Sequence, residues 1–214
     1  MEYTKYNYTR VYHFLDMSMK KNRNPQQKQA LGEVRIIAGL WRGRKLPVLN
    51  AEGLRPTTDR VKETLFNWLM MDIAESRCLD CFAGSGSLGI EALSRQAQAV
   101  VFLEKFANAA NQLKKNLQAL KTEKGKVFNT DSLLFLAQKN SEAPFDIVFI
   151  DPPFHQGFVP QVLQSLAENG WLAENALIYV ETEKTHAPLS LPENWQILKE
   201  KSAGQVVSRL IQTR

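Results

Sequence analysis

The stretch Asp151-Pro152-Pro153-Phe154 gathers residue types that can grip a planar group bearing an amine. It follows Phe145-Asp146-Ile147-Val148-Phe149-Ile150, whose apolar run predicts a buried parallel strand that stops at a proline pair. Each proline fixes φ and lacks an N–H, so neither extends a sheet ladder. The chain is held stiffly there, with a carboxylate and backbone carbonyls directed outward from the strand's C-terminal edge. In open α/β sheets that edge is where ligands bind. An acid, a stiff acceptor-rich backbone and an aromatic ring make a clamp. Read alone, the same four residues also suit a strand followed by a tight turn that Asp151 caps.

A second chemical stretch is Cys78-Leu79-Asp80-Cys81-Phe82-Ala83-Gly84-Ser85-Gly86-Ser87-Leu88-Gly89. Its glycines at 84, 86 and 89 match G-x-G-x-x-G between a strand and a helix, an arrangement that binds nucleotides. Asp80 precedes the loop, and Glu104 ends the next strand, Val100-Val101-Phe102-Leu103, where a carboxylate can hold two ribose hydroxyls. Asp131, after the third strand Lys126-Val127-Phe128-Asn129, either accepts from an adenine amine or caps a helix. Cys78 and Cys81 have C-x-x-C spacing, but residues three apart on a strand face opposite ways, so neither a zinc site nor a redox pair is expected. His13, His155 and His186 are scattered, and no metal is expected.

These loops need an alternating β/α frame, and the periodicity supplies one. Residues 34–48 predict two short strands joined by a turn, with Trp41, Arg42, Arg44 and Lys45 on the hairpin. Such cations beside an aromatic either contact phosphates and stack on a base or form a solvated face. Arg55 and Arg60 continue the basic set at the head of the next helix, which Thr57 or Thr58 can cap. In that helix Val61, Leu65, Trp68 and Leu69 are expected to face the core. Phe106, Ala110, Leu113, Leu117 and Leu120 predict a helix over about 106–120. Phe158, Val162, Leu163 and Leu166 predict another, and residues 176–181 a fifth strand. Trp195 to Lys201 and Gln205 to Ile211 read as a terminal antiparallel hairpin.

At 214 residues, with 44% hydrophobic content and 23% charge, the chain has the makings of one globular α/β domain with a small appendage. No apolar run approaches a membrane span, the N-terminus lacks the core of a signal peptide, and a cytoplasmic protein is expected. Charge is uneven. Residues 20–62 hold 11 Lys/Arg against 3 Asp/Glu, which favours a polyanionic partner. The expected division is a disordered leader over 1–31, a basic hairpin over 32–54 and a main domain over 55–214. Residues 1–18 hold four of the five tyrosines without a usable period and read as a gene-start artefact.

The order Asp80-Cys81-Phe82-Ala83-Gly84-Ser85-Gly86, Glu104, Asp131, Asp151-Pro152-Pro153-Phe154 resembles the S-adenosylmethionine-dependent methyltransferases that modify exocyclic amines. The stretches from Ile36 to Leu46 and from Arg55 to Asn67 narrow this. From about Val34 onward the chain is similar to the RsmD family of bacterial 16S ribosomal RNA guanine-N2 methyltransferases. The resemblance implies a Rossmann-like class I fold, a seven-stranded sheet of order 3-2-1-4-5-7-6 with only the last strand antiparallel. It implies that Phe82, Ala83, Gly84 and Gly86 wrap the methionine part of S-adenosylmethionine, with Asp80 near its amino group. Glu104 would hold the ribose beside Lys105, and Asp131 and Ser132 would border the adenine. Asp151, the Pro152 carbonyl and Phe154 would hold a guanine of 16S rRNA, presented in a partly assembled small-subunit particle to a monomeric enzyme. Three other readings stay open on the residues alone: a DNA amino-methyltransferase, a nicotinamide-dependent oxidoreductase and a non-catalytic RNA-binding assembly factor.

Overall fold

The computed structural model describes residues 31–49, 59–154, 156–186 and 189–214. The expected leader, with the start-site question, falls almost wholly outside these residues, as do Arg55, Thr57 and Thr58.

Strands β1 (Leu31–Arg35) and β2 (Lys45–Leu49) pair antiparallel as a separate two-stranded sheet. The turn between them is longer than expected. Arg42 N donates to Gly39 O, Gly43 N to Ile36 O and Ile36 N to Arg44 O, closing a 3-10 turn over Gly39–Trp41. Helix α1 (Asp59–Trp68) then leads to β3 (Arg77–Asp80), α2 (Ser87–Ser94), β4 (Ala99–Glu104), α3 (Ala107–Ala119), β5 (Gly125–Asn129), α4 (Ser132–Leu136), β6 (Phe145–Ile150), α5 (Phe158–Glu168), β7 (Leu172–Glu183), β8 (Gln196–Ala203) and β9 (Val206–Gln212). The main sheet has the order β5-β4-β3-β6-β7-β9-β8. Strands β3 to β7 pair parallel, while β9 runs antiparallel to both its neighbours. This is the expected 3-2-1-4-5-7-6 order. The chain leaves β3 toward β4 and β5, then returns to the other side of β3 as β6, so a crevice opens between β3 and β6 at their carboxyl ends.

Side-chain alternation divides the core in two. Cys78, Phe102, Ile147, Phe149 and Tyr179 pack with α1, α2, α3 and the hairpin on one face, while Leu79, Leu103, Val148, Ile150 and Ile178 pack with α4 and α5 on the other. That is why β6 ends in an unbroken apolar run, Ile147 to Ile150: both of its faces are covered there. Cys78 and Cys81 lie in opposite cores, as free buried thiols.

Two expectations need correction. Phe106 stands before α3, not in its apolar stripe, and is 68% exposed. In α1 the buried residues include Phe66 and, unexpectedly, Lys62, whose ammonium donates to the Arg35 carbonyl and lies 3.7 Å from Asp59. A lysine counted as polar by pattern thus lies inside because a hairpin carbonyl receives it.

Candidate active site at the carboxyl edge of the sheet

Four carboxylates close four adjacent strands. Glu104 ends β4, Asp80 ends β3, Asp151 follows β6, and Glu181 lies near the end of β7. Alternation continues Phe102, Cys78, Phe149 and Tyr179 into these acids on the face that carries α1 and α2. Asp80 and Glu104 were legible from their motifs. Glu181 was not singled out, because its place beside Asp151 follows from the register of β6 against β7, which pairs Ile150 with Val180.

The glycine loop is organised by two of these acids. Asp80 Oδ2 accepts from Gly89 N at 3.1 Å, fixing the first turn of α2. Glu104 accepts from Gly84 N at 2.8 Å on one oxygen and from Phe106 N at 2.7 Å on the other. The loop reverses at Gly86, where φ is +76, and α2 begins. Gly89 permits α2 to lie directly on β4, since a Cβ there would sit 2.1 Å from the Phe102 ring. Asp80 is wholly enclosed, and burial pushes its carboxyl up to about 7, with the nearby Glu104 charge adding to the rise and hydrogen bonds from Gly89 and Phe82 opposing it. Ser87, buried in the first turn of α2, leaves its hydroxyl without a partner among the described residues.

Across the loop, Asp131 caps α4 by accepting from Leu133 N at 2.9 Å, and its other oxygen meets the Lys105 ammonium at 3.0 Å. The net effect of that cation and the cap bonds, outweighing partial burial, holds its carboxyl below the usual range. Ser132 donates to the Cys81 carbonyl, tying the β5–α4 turn to the end of β3. Exposed Phe106 and Leu134 stand beside Lys105 and Asp131 respectively.

The proline turn stands next to this loop. Asp151 and Phe154 are half-buried, Pro152 is buried and Pro153 exposed. Phe158, opening α5 after Gly157, stacks on Phe82 with ring centroids 5.7 Å apart, so the two loops are joined by aromatic packing. Behind Asp151, the Tyr179 hydroxyl donates to Glu181 at 2.7 Å and contacts Ser208 Oγ at 3.1 Å. Burial, foremost, and the charges of Glu181 and Asp151 push the Tyr179 hydroxyl upward; burial likewise raises the Glu181 carboxyl.

The basic residues divide by location. Arg60 lies in the first turn of α1 and is exposed. Trp41, Arg42, Arg44 and Lys45 sit at the closed end of the hairpin, where Trp41 N donates to Ser94 Oγ at the last turn of α2 and Arg44 to the Ala119 carbonyl at the end of α3. Both helices run away from the glycine loop. At about 1.5 Å of rise per residue, the eight residues of α2 set Trp41 about 12 Å from the glycine loop, and the 13 residues of α3 set Arg44 about 20 Å from the end of β4. Arg55 lies outside the described residues.

Known proteins resemble this chain in sequence and fold. A family model described as conserved hypothetical protein 95 matches residues 34–212. The ribosomal RNA small subunit methyltransferase D of Haemophilus influenzae is 64% identical over 196 residues, covering 91% of this chain and 100% of that protein. This chain belongs to the RsmD family. The Escherichia coli member of that name is 53% identical over 181 residues, covering 85% of this chain and 90% of its own length. The solved Escherichia coli yhhF protein superimposes with a TM-score of 0.80 at 50% identity, covering 85% of this chain and 98% of that chain. A Thermus thermophilus 16S rRNA N2 methyltransferase, RsmC, solved with AdoMet and guanosine, gives a TM-score of 0.64 at 20% identity over 86% of this chain and 50% of that one. That likeness shows the shared class I fold alone. RsmD membership also settles the nicotinamide reading against itself: the cofactor is S-adenosylmethionine.

Proposed function

We propose that this RsmD-family chain transfers a methyl group to the exocyclic N2 amine of a guanine in small-subunit rRNA. The observation that carries the reading is the meeting of the glycine loop of β3 with the proline turn of β6 where the parallel strand order reverses, the two held together by Phe82 and Phe158. S-adenosylmethionine supplies a sulfonium-activated methyl group when bound. The residues present fit it: an enclosed Asp80, Glu104 with each oxygen bonded once and lone pairs remaining, and, at the head of α2, a Ser87 hydroxyl without a partner among the described residues. We assign Phe82, Ala83, Gly84, Gly86 and Asp80 to its methionine part, Glu104 and Lys105 to the ribose, and Asp131 and Ser132 to the adenine.

A guanine amine is a weak nucleophile because its lone pair is delocalised into the ring. Donation of its two N–H groups to the Asp151 carboxylate and the Pro152 carbonyl lets the nitrogen pyramidalise and aim that pair at the methyl carbon. Phe154 stacks on the base, which must leave its own stack to enter. Transfer would form the N–C bond as the methyl group's bond to the donor sulfur breaks, releasing S-adenosylhomocysteine, with one amine proton passing to Asp151. Positioning of this kind supplies about 7–11 kcal/mol of barrier reduction in well-oriented systems. Residues 32–54 serve as an RNA-contacting appendage of a methyltransferase domain spanning 55–214, with Trp41, Arg42, Arg44, Lys45, Arg55 and Arg60 on RNA. The enzyme acts as a cytoplasmic monomer on an assembling small-subunit particle.

The test is labelled methyl transfer to naked 16S rRNA and to small-subunit particles, both from cells lacking the gene. Transfer to particles alone supports the particle substrate. Transfer to neither contradicts the reading.

A further inference from the structure

Nothing in the Asp151 clamp itself distinguishes guanine from another amine-bearing base. The neighbouring strand offers what does. The β6–β7 ladder ends at the pair Ile150 and Val180, so Asp151 and Glu181 are the next residues of two adjacent strand ends. Both acids lie on the face continued from Phe149 and Tyr179. Glu181 is only 6% exposed, and its carboxylate is oriented by the Tyr179 hydroxyl at 2.7 Å, which also contacts Ser208 on β9. A flipped base is read along its Watson–Crick edge. On guanine that edge places the N1–H donor next to the N2 amine, so two acceptors on adjacent strands match two adjacent donors. Adenine presents a lone pair at N1 instead, which an ionised carboxylate, an acceptor only, repels.

We propose that Glu181 is the guanine-specifying residue, accepting the N1–H of the base whose N2 amine Asp151 holds. The inference rests on the amino-methyltransferase reading above and extends it from the amine to the base. Burial raises the Glu181 carboxyl and the Tyr179 hydrogen bond opposes that rise, so Tyr179 favours the acceptor form the role requires.

The test compares two substrates within each protein. Once the methylated nucleotide is located, small-subunit rRNA is assembled by ligation with guanine or with 2,6-diaminopurine at that position. The analogue keeps the C2 amine but carries an unprotonated N1. Wild type is expected to prefer guanine by about 10⁴-fold in kcat/KM, since a site built around a substrate N–H rejects an analogue lacking it. Glu181→Gln can donate to the bare N1, and its preference should shrink at least 10-fold. Tyr179→Phe, which frees the carboxylate without removing it, should shrink the preference by less and serves if the glutamine variant does not fold. A role in folding alone would lower both rates together. An unchanged ratio in these variants overturns the inference, whereas absence of N2-methylguanine formation by wild type overturns the reading beneath it.

Discussion

Asp151 and Asp80 are both acids at strand ends, yet their surroundings give them opposite tasks. Asp151 is half-buried at the open edge, where the proposed clamp needs an ionised acceptor for an amine N–H. Removing one preorganised electrostatic partner commonly costs about 10²–10³ in kcat. Asp151→Ala should show that loss in single-turnover methyl transfer while S-adenosylhomocysteine still binds by calorimetry. Asp80 is enclosed, with its carboxyl pushed up to about 7. Below about pH 4 it is protonated whether the chain is folded or not. Between about 4 and 7 the folded chain keeps a proton that the unfolded chain loses, so folding stability falls as pH rises through that window. Glu181, also raised by burial, acts in the same direction. The cofactor-free protein should therefore melt at lower temperature at pH 7.5 than at pH 5, and Asp80→Asn should flatten part of that slope in a thermal-shift series. A slope unchanged by the substitution would remove Asp80 from the account. A cationic amino group beside Asp80 favours its ionised form, so stabilisation by S-adenosylhomocysteine should grow with pH across the same window.

At the scale of elements, α2 carries the glycine loop at one end and clasps the hairpin along its length. Glu91, 1% exposed, accepts from Ile37 N at 2.8 Å and Ala38 N at 3.0 Å and pairs with Arg95 at 2.9 Å, while Arg95 lies over the Phe66 ring of α1. Glu91→Ala should cost about 3–5 kcal/mol, the usual loss when one member of a buried pair is removed. Denaturant unfolding measures the cost, and amide exchange at Ile37 and Ala38 should speed up more than in β6. Normal protection there would show that the clasp is not what holds the hairpin. None of this clasp was legible beforehand. Glu91 follows the glycine motif in sequence, but its partners are 53 and 54 residues away. By contrast β6, the glycine loop and the terminal hairpin were readable, since each is set by a local run, a spacing or a turn. Phe106 misled because helical spacing extends one step past the helix start, where the chain faces outward.

Over the whole molecule, the basic hairpin tip and the carboxylate row stand at opposite ends of the α2/α3 face, about 12 Å apart along α2 and about 20 Å along α3. The charge bias was plain in the sequence, but its distance from the chemistry depends on which way α2 and α3 run. An RNA that reaches both must lie along that face, so the role proposed for the tip is in binding and not in the chemical step. Arg42→Ala with Arg44→Ala should raise KM, leave kcat near normal and reduce the salt slope of RNA binding by about 2. An unaltered slope would make the tip an ordinary solvated surface. The central claim, that the clamp of Asp151, Pro152 and Phe154 methylates the N2 amine of a guanine, is tested most directly by nucleoside analysis of rRNA labelled by the enzyme from radioactive S-adenosylmethionine. The account predicts that all enzyme-dependent label elutes as N2-methylguanosine. Label on an adenine amine, on a ring nitrogen or on carbon would contradict it.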